Sequence, residues 1–158
     1  MKDSMVKEGK SGSAPSGITE RELVEVLVIK CEPSAPASVR RRLDLLFTQL
    51  SMPPMEAYEV KVAVGEAIGN AVRHGCKMDS GKFITVRIEQ DADDLIFEIS
   101  DDGPGICLHE NSCQDPDFTS GGGMGLALMR SLMDGVEFDF SKGTTVRLTK
   151  HLNSRTSS

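Results

Sequence analysis

The chain has 158 residues and a mass of 17.1 kDa. One domain is expected, long enough to bury roughly two-thirds of its unfolded surface. Its 39% hydrophobic and 27% charged residues describe a globular chain, and a net charge of −6 repels phosphate backbones, so direct nucleic-acid binding is not expected.

The first 17 residues mix Lys, Glu, Ser, Gly and Pro without periodicity and read as a disordered tail. No apolar stretch there resembles a secretion signal, and no run elsewhere is long enough for a bilayer. A cytoplasmic location without membrane contact is expected. Residues 22–30 are β-branched and strand-like, and Pro33 and Pro36 break the strand. A helix is expected near 36–50, with Val39, Leu43, Leu46, Phe47 and Leu50 as its buried stripe. Pro53 and Pro54 open a second helix over about 53–75, ended by Gly75.

Lys82–Gln90 and Leu95–Ser100 read as paired strands joined at Asp91–Asp94. Residues 106–120 read as a loop and Met124–Asp134 as a helix. Val136–Phe140 and Thr144–Leu152 read as a closing hairpin, followed by a frayed end over 153–158. Cys31, Cys76, Cys107 and Cys113 lack CxxC spacing and are expected to be reduced thiols. Cys107, His109 and Cys113 do not form a closed four-ligand set, so no metal site is expected there. The order predicts an α+β domain over 18–152: a two-layer sandwich with helices on one face of a mixed, mostly antiparallel sheet.

Three blocks carry chemistry. Glu66 and Asn70 lie four apart on the second helix and share a face, with His74 continuing the row. Their neighbours Gly65, Ala67, Gly69 and Ala71 are small, and Gly69 costs about 1 kcal/mol of helix propensity. Asn supplies a neutral oxygen suited to Mg²⁺, which takes few protein ligands. Glu is a candidate base one turn earlier. His74 reads first as a charge at the helix C-terminus.

Asp101 ends an apolar strand, and Gly103 and Gly105 let backbone approach a ligand. A carboxylate only accepts hydrogen bonds, so at a purine edge it selects adenine's amine over guanine's carbonyl. Gly121, Gly122 and Gly123, then Met124 and Gly125, open an apolar helix, and free N–H groups at such a start bind anions. The run is neither a P-loop nor a dinucleotide fingerprint.

Together the blocks resemble the GHKL (Bergerat-fold) ATPase superfamily, which includes gyrase, histidine kinases and MutL. The closer resemblance is to the anti-sigma factor serine kinases. It is carried by VGEAIGNAVRHG, DDGPGI, GMGLALMRSLMDGVEF and GTTVRLTK, and spans about residues 20–152. The resemblance implies ATP and Mg²⁺ as cofactors, with Glu66 as base and Asn70 as the magnesium ligand. It implies that Asp101 reads adenine, that Gly103 and Gly105 shape its pocket, and that Thr145 supports the adenine end. Gly121, Gly123, Met124 and Gly125 would line the phosphates, and 106–122 would be the lid.

It further implies a kinase that dimerises, holds a sigma factor and phosphorylates a STAS-domain antagonist on serine or threonine. One position departs from the pattern: Gly122 stands where many members carry Arg. An Arg there would neutralise charge on the transferred phosphoryl group. The alternative reading is therefore a nucleotide-binding regulatory module with little kinase activity. A histidine kinase is the less expected reading, because only about twenty residues precede the first strand.

Overall fold

A computed structural model describes residues 20–77, 79–101 and 123–152. Strand β1 (Glu22–Lys30) is followed by helices α1 (Ala35–Gln49) and α2 (Pro54–Asn70). Proline in the first turn suits both helices, since its missing N–H would have no intrahelical partner there. Helix α2 continues as a π-helical turn, Ala71–Gly75, where the sequence alone predicts uniform helix to residue 75. Strands β2 (Phe83–Asp91) and β3 (Asp94–Asp101) precede helix α3 (Gly123–Leu132) and the hairpin β4 (Gly135–Asp139) and β5 (Thr144–His151). The expected tail over 1–17, the lid over 106–122, Gly103, Gly105, Gly121 and the end over 153–158 lie outside the described residues.

The five strands form one sheet in the order β1-β2-β3-β5-β4. Every pairing is antiparallel, so the expected mixed sheet is antiparallel throughout its described strands. Strand alternation separates two faces. Leu27, Ile29, Ile84, Val86, Ile88, Leu95, Phe97, Ile99, Val146 and Leu148 join the core on the inner face. The helices cover that face with Val39, Leu43, Phe47, Val60, Val64, Ile68 and Met129. Phe47 meets Phe97 edge to face, ring centroids 6.3 Å apart. The opposite face carries the ladder of Arg147 with Glu98 and Glu137. No helix among the described residues is long and apolar enough to cross a membrane.

Lys150 is a buried cation on the largely apolar inner face. Its ammonium donates to Glu59 Oε1 and to the carbonyl of Leu132, each at 2.7 Å. One buried cation thus ties α2, the C-terminal end of α3 and β5 together, and it complements the helix dipole of α3.

Cys31 and Cys76 form a disulfide across 45 residues, Cα atoms 6.3 Å apart. This corrects the expectation of reduced thiols for that pair. Sequence spacing is uninformative here because the end of β1 and the end of the π turn meet only in the folded chain. In the chain-entropy account, closing a loop of that length stabilises by about 4 kcal/mol.

At the far end of β5, His151 pairs with Asp94, and this hydrogen bond, then the charge of Asp94, raises the imidazole pKa above its ordinary value. A raised folded pKa means stabilisation that is fully present below about pH 6.5 and lost as pH rises through the folded value. Thermal melts from pH 5.5 to 8.5 should therefore show wild type losing stability relative to His151→Gln as pH rises. Parallel curves would remove the pair from the pH response. The group is exposed, so the effect is expected to be small and salt-sensitive.

Candidate nucleotide site

Helix periodicity and strand register converge at one end of the sandwich. Asn70, Ala67, Ala71 and His74 share a face of α2 and its π turn, and with Gly75 they form one wall of a pocket. Ile99 and Asp101 of β3, with Thr144 and Val146 of β5, form the other wall. Asp101 follows Leu95, Phe97 and Ile99 in strict alternation, so its carboxylate points inward, and the residue is only 5% exposed. Register places Thr144 directly opposite Asp101.

This geometry corrects one expected site residue. Thr145 pairs with Ser100 and lies on the open face, its hydroxyl 3.0 Å from that of Ser100. Thr144 is the threonine in the pocket. The phase of β5 was available in the sequence, since Thr144 alternates with Val146 and Leu148.

Gly75 does more than end a helix. A Cβ built on it would lie 2.2 Å from Asp101 Oδ2, so the carboxylate packs directly on the glycine. No rotation of a long, flexible side chain relieves that clash, because Asp101 is short and buried. Gly75→Ala should cost about 1–3 kcal/mol as overpacking and displace Asp101 from the pocket. A thermal melt and a nucleotide titration check this. Wild-type values in both would show that the contact is dispensable.

Three buried side-chain atoms among the described residues lack a hydrogen-bond partner, and two belong to this pocket: Asn70 Nδ2 and Thr144 Oγ1. Orphaned buried polar atoms are costly, so two in one cavity point to a bound polar molecule. Asn70 Oδ1 accepts from Arg73 Nη2 at 2.8 Å. A Cβ on Gly69 would stand 3.3 Å from Arg73 Nη1, so the small residue lets the guanidinium lie close to the helix. A cation therefore already sits on the oxygen expected to hold magnesium.

Glu66 stands one turn before Asn70, at the seam with α3. A Cβ on Gly125 would come within 2.6 Å of Glu66 Oε1. Gly125 thus lets the start of α3 lie against the expected base. Gly123 begins α3, and Met124 is exposed. The structure brings Asn70 and Asp101 into one pocket, and Glu66 and Gly125 into contact beside it. Among the described residues, no three His, Cys, Asp or Glu side chains cluster as a metal site. Such a cluster is not required for magnesium, which keeps several waters and takes one or two protein oxygens.

Helices on one face of an antiparallel sheet, with a strand-end carboxylate facing an asparagine-bearing helix, define a GHKL-type ATPase domain. The chain belongs to the family of histidine kinase-like ATPase domains, whose match spans residues 29–150.

Two curated relatives come from Bacillus subtilis strain 168. The chain is 31% identical to serine-protein kinase RsbW over 134 residues, covering 79% of this chain and 83% of the relative. It is 40% identical to anti-sigma F factor over 114 residues, covering 66% of this chain and 76% of that protein. Among solved structures, the RsbU and RsbW domains of a Mycobacterium tuberculosis protein superpose with a TM-score of 0.61 at 22% identity. That superposition covers 82% of this chain and 33% of the other, and it bears on fold alone.

Proposed function

We propose that this protein is an ATP-dependent serine/threonine protein kinase that acts as an anti-sigma factor. It phosphorylates a STAS-domain antagonist and sequesters a sigma factor. The observation that carries the reading is the pocket itself: a buried carboxylate packed on Gly75, beside two orphaned polar atoms, on the scaffold of this ATPase family. Relatives named as a serine-protein kinase and an anti-sigma factor support the choice within the family.

In this reading Asp101 accepts from the adenine amine and Thr144 supplies a hydroxyl beside it. Asn70 would hold Mg²⁺ through the oxygen that now accepts from Arg73. Bound Mg-ATP supplies the transferable phosphoryl group and the charge neutralisation its transfer needs. Glu66 accepts the proton of the attacking serine or threonine hydroxyl. The N–H groups at the start of α3, from Gly123 to Gly125, would meet the phosphates.

The protein acts as a homodimer in the cytoplasm. The open face of the sheet supports self-association, since Val26, Val28 and Phe83 are exposed there on paired strands.

Nucleotide competition tests the site. ATP should displace a fluorescent ADP analogue, and GTP should do so at least about tenfold less well, because guanine places a carbonyl opposite Asp101. Equal displacement would contradict the assignment of Asp101. Gly122 favours a second reading, a nucleotide-binding module that switches partners without phosphotransfer. It shares the pocket and differs only in whether phosphate leaves it.

A further inference from the structure

We propose that Cys31 and Cys76 form a thiol–disulfide switch that positions the adenine end of the pocket and so sets its affinity for ATP. The inference rests on the nucleotide-binding reading above. Both residues are fully buried and lie directly behind the pocket wall. Cys31 follows β1, and its N–H donates to the carbonyl of Lys82 at 3.0 Å, which fixes it to the sheet. Cys76 follows Gly75, the residue on which Asp101 packs, and its N–H closes the π turn on the carbonyl of Ala71 at 2.8 Å.

The same carbonyl lies 4.0 Å from Cys31 Sγ. Ala71 and Gly75 both line the pocket, so the sulfur bridge ends within one residue of the glycine and touches the other wall residue. A π turn is an unusual local winding that recurs at functional sites. Here it is tied to the sheet by the bridge and closed by one backbone bond.

In the disulfide form the turn is held at its C-terminal end, and Gly75 is fixed against Asp101. In the dithiol form that tie is gone. Cys31 then carries a thiol, a weak donor 4.0 Å from the Ala71 carbonyl, which does not replace the lost covalent tie. A small shift of Gly75 moves the surface on which the Asp101 carboxylate rests. Reduction therefore loosens the adenine end.

The exchange needs a low-molecular-weight disulfide as co-reactant, which reaches the buried sulfurs when the turn opens locally. One cysteine thiolate attacks it, forming a mixed disulfide and releasing one thiolate. The second cysteine thiolate then attacks the mixed bond and releases the other thiol. Two electrons and two protons pass from the pair to the co-reactant, and a small dithiol reverses the reaction.

The test is calorimetric titration of Mg-ATP into the disulfide form and into the same protein reduced with dithiothreitol. Mass spectrometry of trapped thiols verifies the state of each cysteine, and near-ultraviolet circular dichroism verifies that both forms are folded. Reduction should raise the Kd for ATP roughly tenfold, in the usual range of coupling between sites. C31S/C76S should show the weaker value with or without dithiothreitol, and C31A/C76A replaces it if the serines unfold the chain.

Equal affinity of the two wild-type forms would overturn the proposal. So would a pair that dithiothreitol leaves oxidised in the folded protein, or a redox response that persists in the double variants. Absence of ATP binding in both forms would overturn the nucleotide reading itself, an outcome distinct from the others.

Discussion

Asp101→Asn should weaken ATP binding by about 10- to 100-fold while leaving the fold intact. A hydrogen bond to a charged acceptor contributes about 1.5–3 kcal/mol, and each 1.4 kcal/mol is tenfold. The substitution keeps shape and size, so packing on Gly75 is preserved. It replaces an acceptor-only group with an amide that presents a donor on one side. Asp101 is buried and faces Thr144 across the sheet, so water cannot easily take over the lost contact. Titration calorimetry measures the affinity, and a thermal melt monitors the fold. ATP affinity unchanged from wild type would remove Asp101 from the adenine site.

Glu66→Gln separates binding from chemistry. A positioned general base contributes typically about 10²–10⁴-fold, and phosphoryl transfer should fall by that amount. ATP affinity should not change, because Glu66 stands outside the pocket wall formed by Asn70, Asp101 and Thr144. The amide preserves the close contact at Gly125, so the α2–α3 seam is not opened. Single-turnover kinetics with labelled ATP reads the transfer step. A loss of affinity equal to the loss of rate would assign Glu66 to nucleotide binding instead.

Much of the architecture was legible before the structure. The helical stripes of α1 and α2 and the β-branched runs of β1, β2 and β3 are strong periodic signals, and their observed bounds differ from the expected ones by a few residues. The two-layer arrangement follows from segregated helices and strands. That Asn70 and Asp101 line one pocket accords with the shared site that the resemblance to the ATPase superfamily implies.

Other features needed the third dimension. The choice between Thr144 and Thr145 turns on strand phase, where a slip of one residue reverses the face. Phase was readable from Val146 and Leu148, but two adjacent threonines invite the error. Gly75 looked like a helix terminator, because its real constraint is a carboxylate from a strand 26 positions further on. The π turn at Ala71–Gly75 leaves no composition signal. Lys150 occupies an inward position that alternation would give to an apolar residue, and only the meeting of Glu59 and the end of α3 explains it. The disulfide depends on where β1 ends relative to α2, which spacing does not encode.

Phosphate transfer to a partner protein can be read by adding γ-labelled ATP and Mg²⁺ to a lysate of the source organism with wild-type protein or with Glu66→Gln. Wild type should label one small protein on serine or threonine, and the variant should not. Absence of any Glu66-dependent label, with ATP binding intact in both proteins, would contradict the kinase reading.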